Sequence, residues 1–201
     1  MNRVVLASKS PRRKKLLEQI GLSFKVSPSN AEELSSQSDP ALLVEELALL
    51  KAEDVSAGHP ECFIIGADTV VVHQNEIIGK PKDKEDAFEI LSSLSNSTHS
   101  VFTGVAFVKS DKNGHIVSKN TFHEQTKVTF SALGEVDIKN YIETGNPMDK
   151  AGAYGIQDDL GALFVEKIEG DYYNVVGFPL NRFYRELKLF VPELTLIPHN
   201  L

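Results

Sequence analysis

The sequence predicts a fold in which strands and helices alternate, of the α/β or α+β class. Three observations carry that expectation. Apolar runs of strand length, at residues 4–7, 63–72 and 101–108, are separated by segments with helical spacing and helix-start signals. Residues 101–108 are apolar on both alternating faces, as a central strand covered on both sides would be. A chain of 201 residues with 41% hydrophobic and 24% charged residues can bury one good core, or one core with a second small lobe.

In chain order, residues 4–7 read as a buried strand ending at Ser8. Ser10 is placed to cap a helix, Pro11 fits its first position, residues 14–20 continue it and Gly21 stops it. Residues 24–27 read as a second strand. Residues 40–57 read as a helix with Leu43, Leu47 and Leu50 as its apolar stripe. The strand at 63–72 turns through Gln74-Asn75-Glu76 into Ile77-Ile78, and residues 84–94 form a helix capped by Asp83. Beyond the central strand, Asp111-Lys112-Asn113-Gly114 turns the chain. The next strand puts Phe122, Val128 and Phe130 on one face, and His123, Gln125, Lys127 and Thr129 on a solvent-facing one. Residues 134–143 read as a helix ending at Thr144-Gly145, followed by an irregular glycine-rich stretch at 146–157. Residues 162–168 and 172–176 are expected to pair as strands across Glu169-Gly170-Asp171, and residues 179–190 to form the last helix.

Composition narrows the function. No apolar run approaches bilayer-spanning length, and the start of the chain lacks a signal-peptide pattern, so no membrane partner is expected. Cys62 is the single cysteine, which excludes a disulfide framework, suits a reducing cytoplasm and reads as a small buried filler. A net charge of −7 with 8% aromatics argues against a polymeric nucleic-acid surface but not against a small anion in a local basic site. The six histidines are scattered without metal-ligand spacing and read as surface or strand residues.

Against that acidic background, Arg12, Arg13, Lys14 and Lys15 crowd a helix start, where the dipole disfavours cations. Unpaired N–H groups there attract anions, and the arginine forks match phosphate oxygens. The alternative is a solvated basic face, to which Lys14 and Lys15 are assigned. Asp68 lies inside an apolar strand, in Gly66-Ala67-Asp68-Thr69-Val70. A carboxylate there must be paired, bind metal or accept backbone N–H bonds, and Gly66 permits close approach of another group. Lys80, in Gly79-Lys80-Pro81, follows the hairpin return and is expected near Asp68; the Walker spacing is missing. Lys51 sits on the margin of its helix stripe, either snorkelling to water or reaching inward. Glu32 and Glu33 could each ligate a divalent cation. In residues 149–157, small residues around Tyr154 suggest close backbone approach to a ligand, or a tight connection with Tyr154 as core filler. Gln157 offers the donor and acceptor needed to read a base edge. Together these residues fit a nucleotide or sugar phosphate with a hard divalent metal.

Leu6-Ala7-Ser8-Lys9-Ser10-Pro11-Arg12-Arg13, the Glu46–Lys51 helix segment, Gly66-Ala67-Asp68-Thr69-Val70, Gly79-Lys80-Pro81 and residues 149–157 and 162–177 occur in this order. In that arrangement the chain resembles the Maf family of nucleoside triphosphate pyrophosphatases, from residue 4 to about 180. The resemblance implies an elongated mixed α/β sheet flanked by helices, of the type shared with inosine triphosphate pyrophosphatases. It implies a single domain over 1–201, with room for two lobes about an active-site cleft, and a cytoplasmic homodimer. It also implies cleavage of a nucleoside triphosphate between the α- and β-phosphates with Mg²⁺ or Mn²⁺, serving nucleotide-pool cleaning and linked to arrest of cell division. On this chain, Asp68 would be the proton acceptor or metal-linked base. Ser8, Arg12, Arg13, Lys51 and Lys80 would hold phosphates with Ser10 at the helix start, and Glu32 would stand at the metal side. Arg12, Thr69 and Gln157 resemble the branch acting on dTTP and UTP rather than that acting on 7-methyl-GTP. Two departures stand out: Ala31 where an acid is common, and Asp158-Asp159-Leu160 where a shorter glycine-bearing link is usual. Rival readings are a non-catalytic nucleotide sensor in division control and a single-stranded nucleic-acid binder. An assay of pyrophosphate release from dTTP with Mg²⁺ separates the first from the enzyme, and a salt-dependent binding titration tests the second.

Overall fold

In a computed structural model, residues 3–158, 160–194 and 196 are described; Asp159 and His199 lie outside them. The elements run β1 (Arg3–Leu6), α1 (Pro11–Gln19), β2 (Lys25–Val26), α2 (Pro40–Ser56), β3 (Cys62–His73), β4 (Glu76–Ile78), α3 (Lys84–Leu94), β5 (Thr98–Ser110), β6 (Ile116–Phe130), α4 (Glu135–Glu143), β7 (Val165–Glu169), α5 (Tyr172–Val176) and α6 (Leu180–Phe190). The sheet order is β2-β1-β3-β5-β6-β7, with β4 on β3. Parallel and antiparallel pairs coexist, so the sheet is mixed. The chain divides into two compact units. The first takes the chain up to Asp68, Thr103–Glu124 and the chain from Gly177; the second takes Thr69–Phe102 and Gln125–Val176.

In the first unit, β1 pairs in parallel with β2 and with β3, Val5 lying opposite Ile64. Helix α2 packs so closely that a Cβ on Gly66 would lie 2.0 Å from the Ala48 carbonyl oxygen, and one on Gly104 2.2 Å from that of Val44. That approach corrects the expected stripe. The buried face is Val44, Leu47, Ala48, Ala52 and Val55, while Leu43 and Leu50 are only half-buried. Small residues are needed where backbone meets backbone. Asp39 caps the helix, accepting the Ala41 N–H at 2.8 Å. Phe63, Phe107, Phe183 and Phe190 form an edge-and-tilt aromatic cluster under α6. Cys62 is buried, as expected, and burial raises its thiol pKa.

In the second unit, Gln74 and Asn75, both at positive φ, close the tight hairpin of β3 and β4. Asp83 caps α3 through the Asp86 N–H at 2.8 Å. The expected strand pair after residue 162 is corrected. Residues 161–164 make a 3₁₀ turn, β7 pairs with β6, and residues 172–176 are helix α5. The aromatic and β-branched composition of Tyr172-Tyr173-Asn174-Val175-Val176 favours a strand, but Asp171 Oδ1 accepts the N–H groups of Tyr173 and Asn174, at 2.7 and 3.4 Å. Asn174 Nδ2 then bonds Val101 O and Thr126 Oγ1, both at 3.0 Å, fixing the turn from inside.

Of the histidines expected at the surface or in strands, two are strand residues that lie in the core, His73 in β3 and His99 in β5. His73 and His99 are buried, and His99 packs edge-on to Phe130 and Tyr154, with its Nε2 2.8 Å from the Tyr154 hydroxyl. Burial, helped by His73, lowers the His99 pKa from 6.5 to about 4.

Two predictions follow from this packing. Gly66→Ala should cost about 3 kcal/mol or more, or prevent folding, because its methyl meets backbone rather than a yielding side chain; the urea midpoint measures it. The unfolded state takes a proton on His99 near pH 6.5 while the folded ring resists until about 4. Stability should therefore fall as pH drops through that window, by about 3 kcal/mol at pH 4. In His99→Phe the fall in urea midpoint over that window should shrink; an unchanged fall would acquit this histidine.

Candidate active site

The site grows from the end of β1. The Ala7 N–H donates to Ile65 O at 2.8 Å, keeping the chain on β3 for one residue past the strand. Ser8 follows, buried, its hydroxyl accepting the Ser10 N–H at 3.2 Å. Ser10 caps α1, as the sequence predicts, by accepting the Arg13 N–H at 3.4 Å. The Arg13 side chain then turns back: Nε donates to Gly177 O at 2.9 Å, and one terminal nitrogen to Ala67 O at 2.9 Å and Ser8 Oγ at 3.3 Å. Burial lowers its pKa, while Asp68 opposes that fall. Arg12 stands half-buried on the same turn.

Asp68 is the last residue of the first unit along β3, with its side chain 12% exposed. Its Oδ1 lies 2.6 Å from Lys51 Nζ. Lys51 reaches inward from the margin of α2, the second of the two courses open to it, and is 13% exposed. A third group completes the chain of charges, with Glu33 Oε1 3.0 Å from the same ammonium. The expected metal-side residue, Glu32, is exposed, and its backbone carbonyl accepts the Leu34 N–H at 2.9 Å. Thus the geometry brings Glu33 to the cation, although no periodicity in this irregular segment separates the two neighbours.

Ser8, Ser10, Arg13, Lys51 and Asp68 are therefore assembled in one unit with Arg12 beside them. The remaining expected residues belong to the second unit. Thr69 follows Asp68 in β3 and is half-buried; Lys80, just past β4, is exposed. Gln157 is exposed and donates to Asp158 Oδ1 at 3.0 Å. The glycines around it approach protein. A Cβ on Gly152 would meet Val71 at 2.8 Å, and one on Gly155 would meet Asp158 at 2.5 Å. Tyr154 is buried and stacks edge-on against Phe130, so it is core filler.

Among the described residues, no group of three or more His, Cys, Asp or Glu is placed to hold a metal ion. Two carboxylates against one ammonium nevertheless form a hard-oxygen donor set. Carboxylate oxygens are the donor type that hard divalent cations take, and here both Asp68 and Glu33 present them to Lys51.

The sequence profile described as Maf-like protein matches residues 3–190. The chain belongs to the Maf-like family. A dTTP/UTP pyrophosphatase of Agathobacter rectalis is 49% identical to this Maf-like chain, over 94% of it and 97% of the relative. One of Bacillus cytotoxicus is 49% identical over 94% and 96%, and one of Bacillus anthracis 45% over 97% and 99%. Among solved structures, a HAM1 protein from Coxiella burnetii aligns with 94% of the chain and 100% of its own, at a TM-score of 0.53 and 15% identity. That likeness is one of fold, and it agrees with the α/β sheet flanked by helices.

The buried pair makes a stability prediction. Lys51→Met leaves Asp68 without its ammonium partner and should cost about 3 kcal/mol. Adding Asp68→Asn should recover most of the loss, as read from urea midpoints in a double-mutant cycle.

Proposed function

We propose that this Maf-like protein hydrolyses dTTP and UTP to the nucleoside monophosphate and pyrophosphate. The observation that carries this reading is Asp68 held against Lys51, and through it Glu33, beside the anchored Arg13. A polyphosphate requires fixed positive charge along its oxygens and one acceptor for a proton; these residues supply both. The relatives named dTTP/UTP pyrophosphatase, matching over nearly their whole length, support the substrate class.

In this reading the N–H groups at the start of α1, with Arg12 and Arg13, hold phosphate oxygens. Lys51 neutralises charge as it builds on the departing pyrophosphate. Asp68 accepts the proton of a water that attacks the α-phosphorus; the bond to the α–β bridging oxygen breaks and pyrophosphate leaves. Mg²⁺ or Mn²⁺, held by Asp68 and Glu33 in place of the expected Glu32, would supply further charge neutralisation and orient the phosphates. Lys80 is assigned to the phosphates, and Thr69 and Gln157 to the nucleoside. No described helix is long and apolar enough to cross a membrane. We further read the enzyme as a cytoplasmic homodimer that clears free nucleotides rather than polymers.

Asp68→Asn tests the reading. Pyrophosphate release from dTTP with Mg²⁺ should fall by about 10²–10⁴-fold, with nucleotide binding changed only a few-fold. Near-normal turnover would remove Asp68 from the chemistry. No turnover in the unaltered protein, with binding intact, would make it a sensor instead.

A further inference from the structure

An exposed glutamine amide offers an acceptor on one side and a donor on the other, and nothing intrinsic decides which side faces a ligand. In this chain the neighbour of Gln157 decides it. Gln157 Nε2 donates to Asp158 Oδ1 at 3.0 Å. A carboxylate only accepts, so the nitrogen of the amide must lie on that side. Asp158 is itself fixed. Its Oδ2 accepts from the Tyr141 hydroxyl at 3.0 Å and lies 3.1 Å from Lys150 Nζ. The Tyr141 hydroxyl in turn accepts the Gly155 N–H at 3.0 Å, which commits its single proton to Asp158. Lys150 is buried and also pairs with Asp149 at 2.8 Å. The backbone closes the unit: the Asp158 N–H donates to Gly155 O at 3.0 Å, and Asp158 O accepts the Ala162 N–H at 2.9 Å. The packing leaves no slack, since a Cβ on Gly161 would lie 2.9 Å from the Tyr141 hydroxyl. All of these residues belong to the second unit.

We propose that Asp158 is a positioning residue that sets base preference, by holding the Gln157 amide in the one sense that suits a uracil or thymine edge and not a cytosine edge. The inference rests on the reading that Gln157 meets the base. With Nε2 pinned, the outward order of Oε1 and the second N–H is fixed. Uracil and thymine present the N3–H donor beside the O4 acceptor. Cytosine presents the reverse at the same two places, an N3 acceptor beside an N4 amino donor. An amide free to turn over serves both edges. A pinned one serves a single edge and sets donor against donor and acceptor against acceptor on the other, leaving polar groups desolvated and unpaired.

The test compares kcat/KM for UTP and CTP in the full-length protein and in Asp158→Asn, Asp158→Ala and Gln157→Ala. The two nucleotides share ribose and triphosphate, so damage to the fold or to the phosphate site lowers both alike. The Asp158 variants are expected to lower the UTP-to-CTP ratio by about tenfold, chiefly through KM. Asp158→Asn is the milder probe, because an asparagine there can present either its oxygen or its amino group to Gln157. An equal fall for both nucleotides would make Asp158 merely structural and overturn the proposal. An unchanged ratio in the Asp158 variants, with the ratio lost in Gln157→Ala, would overturn it while the base reading stands. An unchanged ratio in Gln157→Ala would remove the base reading itself.

Discussion

An ionised carboxylate in the middle of a β-strand is the constraint around which the first unit is arranged. Asp68 has apolar neighbours on both sides along β3 and has lost most of its water. It persists because Lys51 meets it at hydrogen-bond distance. Much of the surrounding architecture can be read as the means of bringing that lysine there. Asp39 starts α2, the small residues on its inner face let it lie against the sheet, and the missing side chains at Gly66 and Gly104 let the backbones touch. Removing water from the pair strengthens their attraction and also makes either partner costly to leave alone.

The arginine at the start of α1 obeys a related logic. Like charges near a helix N-terminus are unfavourable, yet Arg13 folds back to donate to two carbonyls and a serine hydroxyl instead of extending into solvent. It ties the turn after β1 to the residue preceding Asp68. Rigid placement of cations before a substrate arrives lowers the reorganisation needed when charge moves.

Legibility in the sequence followed the range of the interaction that decides each feature. Where a local signal governed, the reading held: Asp83 capping α3, Ser10 and Pro11 opening α1, the Gln74-Asn75 hairpin, and the alternating faces of β6. Where a distant partner governed, it failed. Tyr172-Tyr173-Asn174-Val175-Val176 has strand composition, but Thr126 and Val101 hold Asn174 in a helical turn. Leucines mark the obvious stripe of α2, yet backbone contact selects alanines for the buried face. In the site, Asp68, Lys51 and Arg13 were legible because charge in an apolar setting is conspicuous. Glu33 was not, since two adjacent acids in an irregular segment look alike until the fold places one. His99 carried an overlooked signal: it shares the buried alternate positions of β5 with Val101 and Thr103.

The backbone contact between α2 and the sheet also bears on how this protein tolerates change. A helix seated carbonyl-to-strand has no layer of side chains to act as a cushion, so its axis cannot drift when neighbours mutate. Variation in substrate range would then arise in the reach of flexible stems, such as the four-carbon arm of Lys51, and in loops. A laboratory library seeking altered nucleotide scope should leave positions 44, 48, 52, 66 and 104 untouched and concentrate its diversity elsewhere.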